Sequence, residues 1–187
     1  VKLEAFAHLT HNIGYPLVPL IALLLPLVLR DQVDVSPWLH LGLFILCSVS
    51  VVLFYDASQR AIGRSLRQRL LDVPAAMALG IGLSPRLSQA VLLGLLGGAG
   101  EFVRTPKRGD GVGRRYQSLS SGVPGLELLL ALWLAWAGVM AIRAGAWGAL
   151  PLMLLFCWGF AWVGILSLRL WLRERGTQTS PTERRAA

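Results

Sequence analysis

The sequence predicts an all-α polytopic membrane protein, with four spanning helices and a cytoplasmic interfacial helix pair and basic loop between the second and third. Three observations carry this. The 187 residues are 55% apolar and 15% charged, with a mean hydropathy of +0.59, whereas soluble domains are about 45–50% apolar and about 25% charged. Uncharged runs of membrane-crossing length recur along the chain. The 18 Lys and Arg against 10 Asp and Glu, a net charge of +8, lie between those runs. A nucleic-acid binder needs its cations spread over a folded polar surface, so no nucleic-acid partner is expected. Disorder, a disulfide scaffold and an ordinary soluble enzyme are excluded on the same grounds, and the first partner is the lipid bilayer.

The uncharged runs place the spans. Ile13–Leu29, Val35–Tyr55, Leu128–Ile142 and Ala144–Leu168 hold 17, 21, 15 and 25 residues, against the roughly 17–25 that a helical crossing needs. The third reaches that length once extended back through Glu127 to Val123. Pro16, Pro19 and Pro26 interrupt the first run, which spanning helices tolerate better than soluble ones. The expected spans are 12–30, 38–56, 123–143 and 146–168. Trp38, Trp147 and Trp171 stand at span ends, where amphipathic rings favour the interface.

Two shorter runs, Val73–Pro85 and Leu87–Gly100, have 13 and 14 residues and are divided by Ser84-Pro85-Arg86. Runs of that length are more often interfacial or re-entrant than spanning. The expectation is a pair of short helices lying on the cytoplasmic face or dipping into it.

Charge sets orientation. Ten cations fall between Asp56 and Val123: Arg60, Arg64, Arg67, Arg69, Arg86, Arg104, Lys107, Arg108, Arg114 and Arg115. The tail adds Arg169, Arg173, Arg175, Arg184 and Arg185, while the 31–37 connection carries no cation. The positive-inside rule puts the middle segment, the tail and both chain ends in the cytoplasm. The organisation is thus two membrane helices with an N-terminal interfacial segment over 1–56, a basic interfacial segment over 57–122, two further membrane helices over 123–172 and a disordered polar tail over 173–187.

Few residues carry chemistry. His8 and His11 are one helical turn apart, yet a metal site needs further ligands and Glu4 is the one acid nearby; they read as polar residues at the membrane surface, and no metal is expected on this chain. His40 has no partner. Cys47 and Cys157 lie inside spans without CxxC spacing, as small packing residues. Glu127 reads equally as an intramembrane functional acid and as an acid at a helix N-terminus. Gly97–Gly100 lacks the GK[ST] ending and the preceding strand of a phosphate loop. Trp133 with Trp136, and Trp158 with Trp162, share helix faces by their spacing; they serve either as packing or as a stacking wall along a glycan path.

The segment 101–109, Glu-Phe-Val-Arg-Thr-Pro-Lys-Arg-Gly, gathers three cations, a hydroxyl and an aromatic behind four small residues. Its cations and hydroxyl suit a diphosphate or, as the commoner use of such a loop, anionic headgroups. The string Phe102-x-x-Thr105-x-Lys107 resembles the F-x-V-T-x-K gating loop of membrane-embedded family 2 glycosyltransferases of the cellulose synthase-like group. Arg104 stands where Val is usual, and FVRTPKRG looks like the form in bacterial members. Lys2–Leu17 looks like the segment after the catalytic domain of that family, Phe54–Arg60 like the end of the second span, and Gly80–Leu96 like the interfacial helix that leads into the loop. The resemblance covers nearly all of residues 1–172.

The resemblance implies a membrane and gating module in a bacterial inner membrane. Phe102, Thr105 and Lys107, with Arg104 beside them, would close over the diphosphate end of a nucleotide-sugar donor, and the spans would serve a growing glycan or a lipid acceptor. The spaced aspartates and the Q-x-x-R-W motif of the family's catalytic domain, with its Mg or Mn ion, have no counterpart here. The chain opens on Val1 and therefore reads as the C-terminal part of a longer enzyme, not catalytic by itself, with the missing catalytic domain as its partner. The alternative is a small stand-alone membrane scaffold or transporter-like subunit, which a start codon at Val1 would distinguish.

Overall fold

The computed structural model describes residues 11–30, 36–97 and 125–178. These residues form helices and turns, with no strand among them. After a 3-10 turn at His11–Gly14 come α1 (Leu17–Arg30), α2 (Pro37–Ala61), α3 (Leu66–Leu95) and α4 (Leu126–Arg143), then a 3-10 turn at Trp147–Ala149 and α5 (Leu150–Gln178). Four stretches are long and apolar enough to cross a membrane: α2, α3, α4 and Trp147–Arg173. The chain is therefore helical and multi-pass in composition, as expected.

Two expectations change. The first span, expected over 12–30, is the 14-residue α1, about 21 Å at 1.5 Å per residue and short of a roughly 30 Å hydrocarbon layer. The expected helix pair over 73–100 is replaced, through Leu95, by the single 30-residue α3. The reason lies in Ser84. Pro85 has no N–H, so the Ile81 carbonyl one turn earlier lacks its helical donor. The Ser84 hydroxyl donates to that carbonyl at 2.7 Å, and the Ser88 hydroxyl donates in turn to the Ser84 carbonyl at 2.6 Å. The serine that looked like a breaker repairs the helix. A capping box starts it, the Ser65 side chain accepting from the Gln68 N–H while Gln68 accepts from the Ser65 N–H. At the other end, α5 runs to Gln178, six residues into the expected tail; Leu170-Trp171-Leu172-Arg173-Glu174-Arg175 contains mostly good helix formers.

Packing fixes directions. Ala22 shares a buried cluster with Leu130 and Leu134, and Leu25 packs against a second that contains Ala137 and Ala141, so α1 and α4 run side by side in one direction. The Trp133 Nε1–H donates to the Leu23 carbonyl at 3.3 Å, fastening the two. The turn at Trp147–Ala149 folds α5 back against α4. At that turn the start of α2 docks: Gly148 approaches the Pro37 carbonyl with no space for a Cβ, and Trp38 meets Trp147 edge-on with ring centroids 4.8 Å apart. The end of α2 and the start of α4 thus share the far end of the bundle. The core lies among α1, α4 and α5, around Leu134, Met153 and Phe160, each no more than 1% exposed.

Candidate functional site

The far end of the bundle concentrates charge. Asp56, one turn from the end of α2, pairs with Arg60 at 2.7 Å and with Arg69 of α3 at 2.6 Å. Arg64, in the α2–α3 connection, lies 3.4 Å from Asp72. That connection turns at Gly63, whose φ of +77° suits a residue without a Cβ. On the other side of the same end, Arg86 of α3 donates through Nε to Glu127 at 3.0 Å. Glu127 is 3% exposed and sits in the first turn of α4, where the helix dipole favours a carboxylate. A buried acid needs a partner, and Arg86 supplies it.

These two pairs locate α3. Arg69 is tied to the last turns of α2 and Arg86 to the first turn of α4, both at the end opposite Trp147. Between them α3 is pressed onto α5. A Cβ on Gly82 would strike the Gly159 carbonyl and the Val163 side chain, and a Cβ on Gly159 would strike the Ala78 carbonyl. Small residues thus let the two backbones touch. Length and composition would permit α3 to cross a membrane, yet its two ionic anchors lie at the same end of the bundle.

Phe102, Arg104, Thr105 and Lys107 fall within 98–124, outside the described residues, as do His8 and the side chain of His11. Trp133 and Trp136 stack at 5.1 Å, and Trp158 and Trp162 at 5.9 Å with planes 8° apart. Trp158 also faces a cavity of about 720 Å³ between α2, α3 and α5. Cys47 and Cys157 are both free, and the Cys157 thiol lies 3.4 Å from the Ala131 carbonyl. His40 Nδ1 is buried without a hydrogen-bond partner. Among the described residues no three His, Cys, Asp or Glu side chains gather as a metal site.

Sequence reasoning missed the link from Glu127 to Arg86, because no spacing rule connects residues 41 positions apart. The Asp56–Arg60 pair, by contrast, has the i, i+4 spacing of a helical ion pair. No known protein family, curated protein or solved structure matches the chain.

Proposed function

We propose that this chain is the membrane and gating portion of a glycosyltransferase similar to the membrane-embedded family 2 enzymes, moving sugar from a nucleotide-sugar donor to a growing polysaccharide or a lipid acceptor. The observation that carries the reading is the Phe102-x-x-Thr105-x-Lys107 string and the order of elements around it. In this reading Lys107 and Arg104 offer charge to the donor's diphosphate, Thr105 offers a hydroxyl and Phe102 an apolar packing face. A loop closing there would exclude water from the donor. Activation of the acceptor hydroxyl belongs to a catalytic domain in the same polypeptide, together with its Mg or Mn ion.

The placement of α3 supports the reading. In this reading α3 lies along the cytoplasmic side as an interfacial helix, and the ion pairs that hold Arg69 and Arg86 at one end of the bundle support it. The same reading makes the basic 98–124 segment and both chain ends cytoplasmic, in a bacterial inner membrane, which requires α1 to cross beside α4 as a short span over which the bilayer thins. The positive-inside bias agrees with that arrangement.

The test uses the full-length enzyme in membranes. Lys107→Ala and Thr105→Ala are expected to weaken nucleotide binding and slow sugar transfer. Unchanged donor affinity and turnover in both would overturn the gating assignment. The reading frame upstream of Val1 gives an independent check, because a start codon at that point removes the catalytic domain the proposal requires.

A further inference from the structure

Helix α2 is held differently from its neighbours. None of its residues is fully buried, and it is pinned near its two ends. Trp38 rests on Trp147 at one end, and Asp56 holds Arg69 at the other. Between these pins α2 stands away from α3 and α5 and leaves the cavity of about 720 Å³. Phe44, Ser48 and Val52 line one wall, Pro74 and Met77 of α3 a second, and Trp158 of α5 a third. From Phe44 to Val52 the slot follows two turns of α2, about 12 Å at 1.5 Å per residue.

The lining is hydrocarbon apart from the Ser48 hydroxyl, the Met77 thioether and the Trp158 indole. An apolar cavity does not retain water, and a sugar seated here would leave its hydroxyls without partners. What a bilayer offers at that depth is an acyl chain. Asp56 follows Val52 by one turn of α2 and Asp72 precedes Pro74 by two residues of α3, so the charged end of the bundle adjoins the slot. Arg60, Arg64, Arg67 and Arg69 stand there against Asp56 and Asp72, an excess of positive charge. Arg60 and Arg64 keep 67% and 47% of their side chains exposed despite their ion pairs. Arg67 is exposed as well.

We propose that this slot seats one acyl chain of an anionic glycerophospholipid, drawn from the leaflet on the charged side, with its phosphate held at Arg60, Arg64 and Arg67. Hydrocarbon lining and cationic rim match the two halves of such a lipid. Guanidinium groups are suited to phosphate oxygens, and juxtamembrane cations attract anionic headgroups. The site uses no residue of the 101–109 segment and does not depend on the glycosyltransferase reading.

The test is native mass spectrometry of the full-length protein released from vesicles of equal parts phosphatidylglycerol and phosphatidylcholine. The protein is expected to retain phosphatidylglycerol over phosphatidylcholine by about fivefold or more, the factor a single well-placed cation contributes. The double variant Arg64→Gln/Arg67→Gln, which changes exposed side chains, is expected to remove that preference. Val52→Trp, which fills the slot, is expected to reduce retention of either lipid. Leu46→Trp, on the same helix but outside the lining, leaves it unchanged. Equal retention of the two lipids overturns the proposal, and so does a preference that survives the arginine substitutions. It is also overturned if no lipid is retained because another helix of the protein fills the slot, or if an isoprenyl phosphate at equal concentration displaces the phosphatidylglycerol.

Discussion

Gly82 of α3 and Gly159 of α5 face each other so closely that neither position has space for a Cβ. Gly80, two residues away on α3, has open space around it. Gly82→Ala and Gly159→Ala must therefore push two backbones apart, an overpacking cost of about 1–3 kcal/mol. Gly80→Ala meets nothing and gains up to about 1 kcal/mol of helix propensity. Thermal unfolding in detergent should show a lowered midpoint for the first two and an unchanged or raised one for the third. Equal midpoints across all three would refute the close crossing.

The Arg86–Glu127 pair is asymmetric, with Arg86 42% and Glu127 4% exposed at the side chain. Removing the arginine strands a buried carboxylate, whereas removing the charge on Glu127 frees an arginine that can reach solvent. Arg86→Ala should cost more than Glu127→Gln, by about 1 kcal/mol or more. The double variant should recover part of the loss of Arg86→Ala. Strict additivity in the cycle would mean that the two groups do not interact.

Ser84 and Pro85 make a coupled prediction. Ser84→Ala uncovers the Ile81 carbonyl that Pro85 leaves without a donor, at a cost of about 1 kcal/mol. Pro85→Ala restores the backbone N–H, so in that background Ser84→Ala should be nearly silent. The unfolding midpoints of the four proteins decide it. If Ser84→Ala costs as much in the Pro85→Ala background as alone, the hydroxyl has another role.

The side on which each segment emerges can be read by labelling. In a background lacking Cys47 and Cys157, Arg67→Cys and Gly109→Cys should react with a membrane-impermeant maleimide from the same face. A cysteine at Arg143 should react from the opposite face. Labelling of Arg67→Cys and Gly109→Cys from opposite faces would make α3 a crossing helix and remove its interfacial placement.

Much of the fold is legible in the sequence because a bilayer imposes a simple rule, that uncharged runs of sufficient length become helices. The cores of α2, α4 and α5 lie where Val35–Tyr55, Leu128–Ile142 and Ala144–Leu168 place them. The rule reads a proline as an ending, however, and it cannot see that a preceding serine can cover the carbonyl left open. That is why the sequence predicts two pieces where α3 is one helix. The candidate site was less legible. Glu127 offered two meanings until α3 brought Arg86 to it. The pair Trp158 and Trp162 was recognisable as one helix face, but that Trp158 borders a cavity depends on α2 being held apart from α5. The loop positions Phe102, Arg104, Thr105 and Lys107 rest on pattern alone.

The docking of Pro37 against Gly148 also constrains how the protein is made. Gly148 follows Pro37 by about 110 residues, so at about 5–20 residues per second the ribosome takes several seconds or more to deliver it. Throughout that interval α2 has entered the bilayer without the surface its first turn rests on. Its 25 residues bury none fully even in the finished bundle, so it loses little by waiting among lipids. Residence in the membrane comes first for this helix and a fixed position second, with completion of the α4–α5 hairpin as the event that separates the two stages.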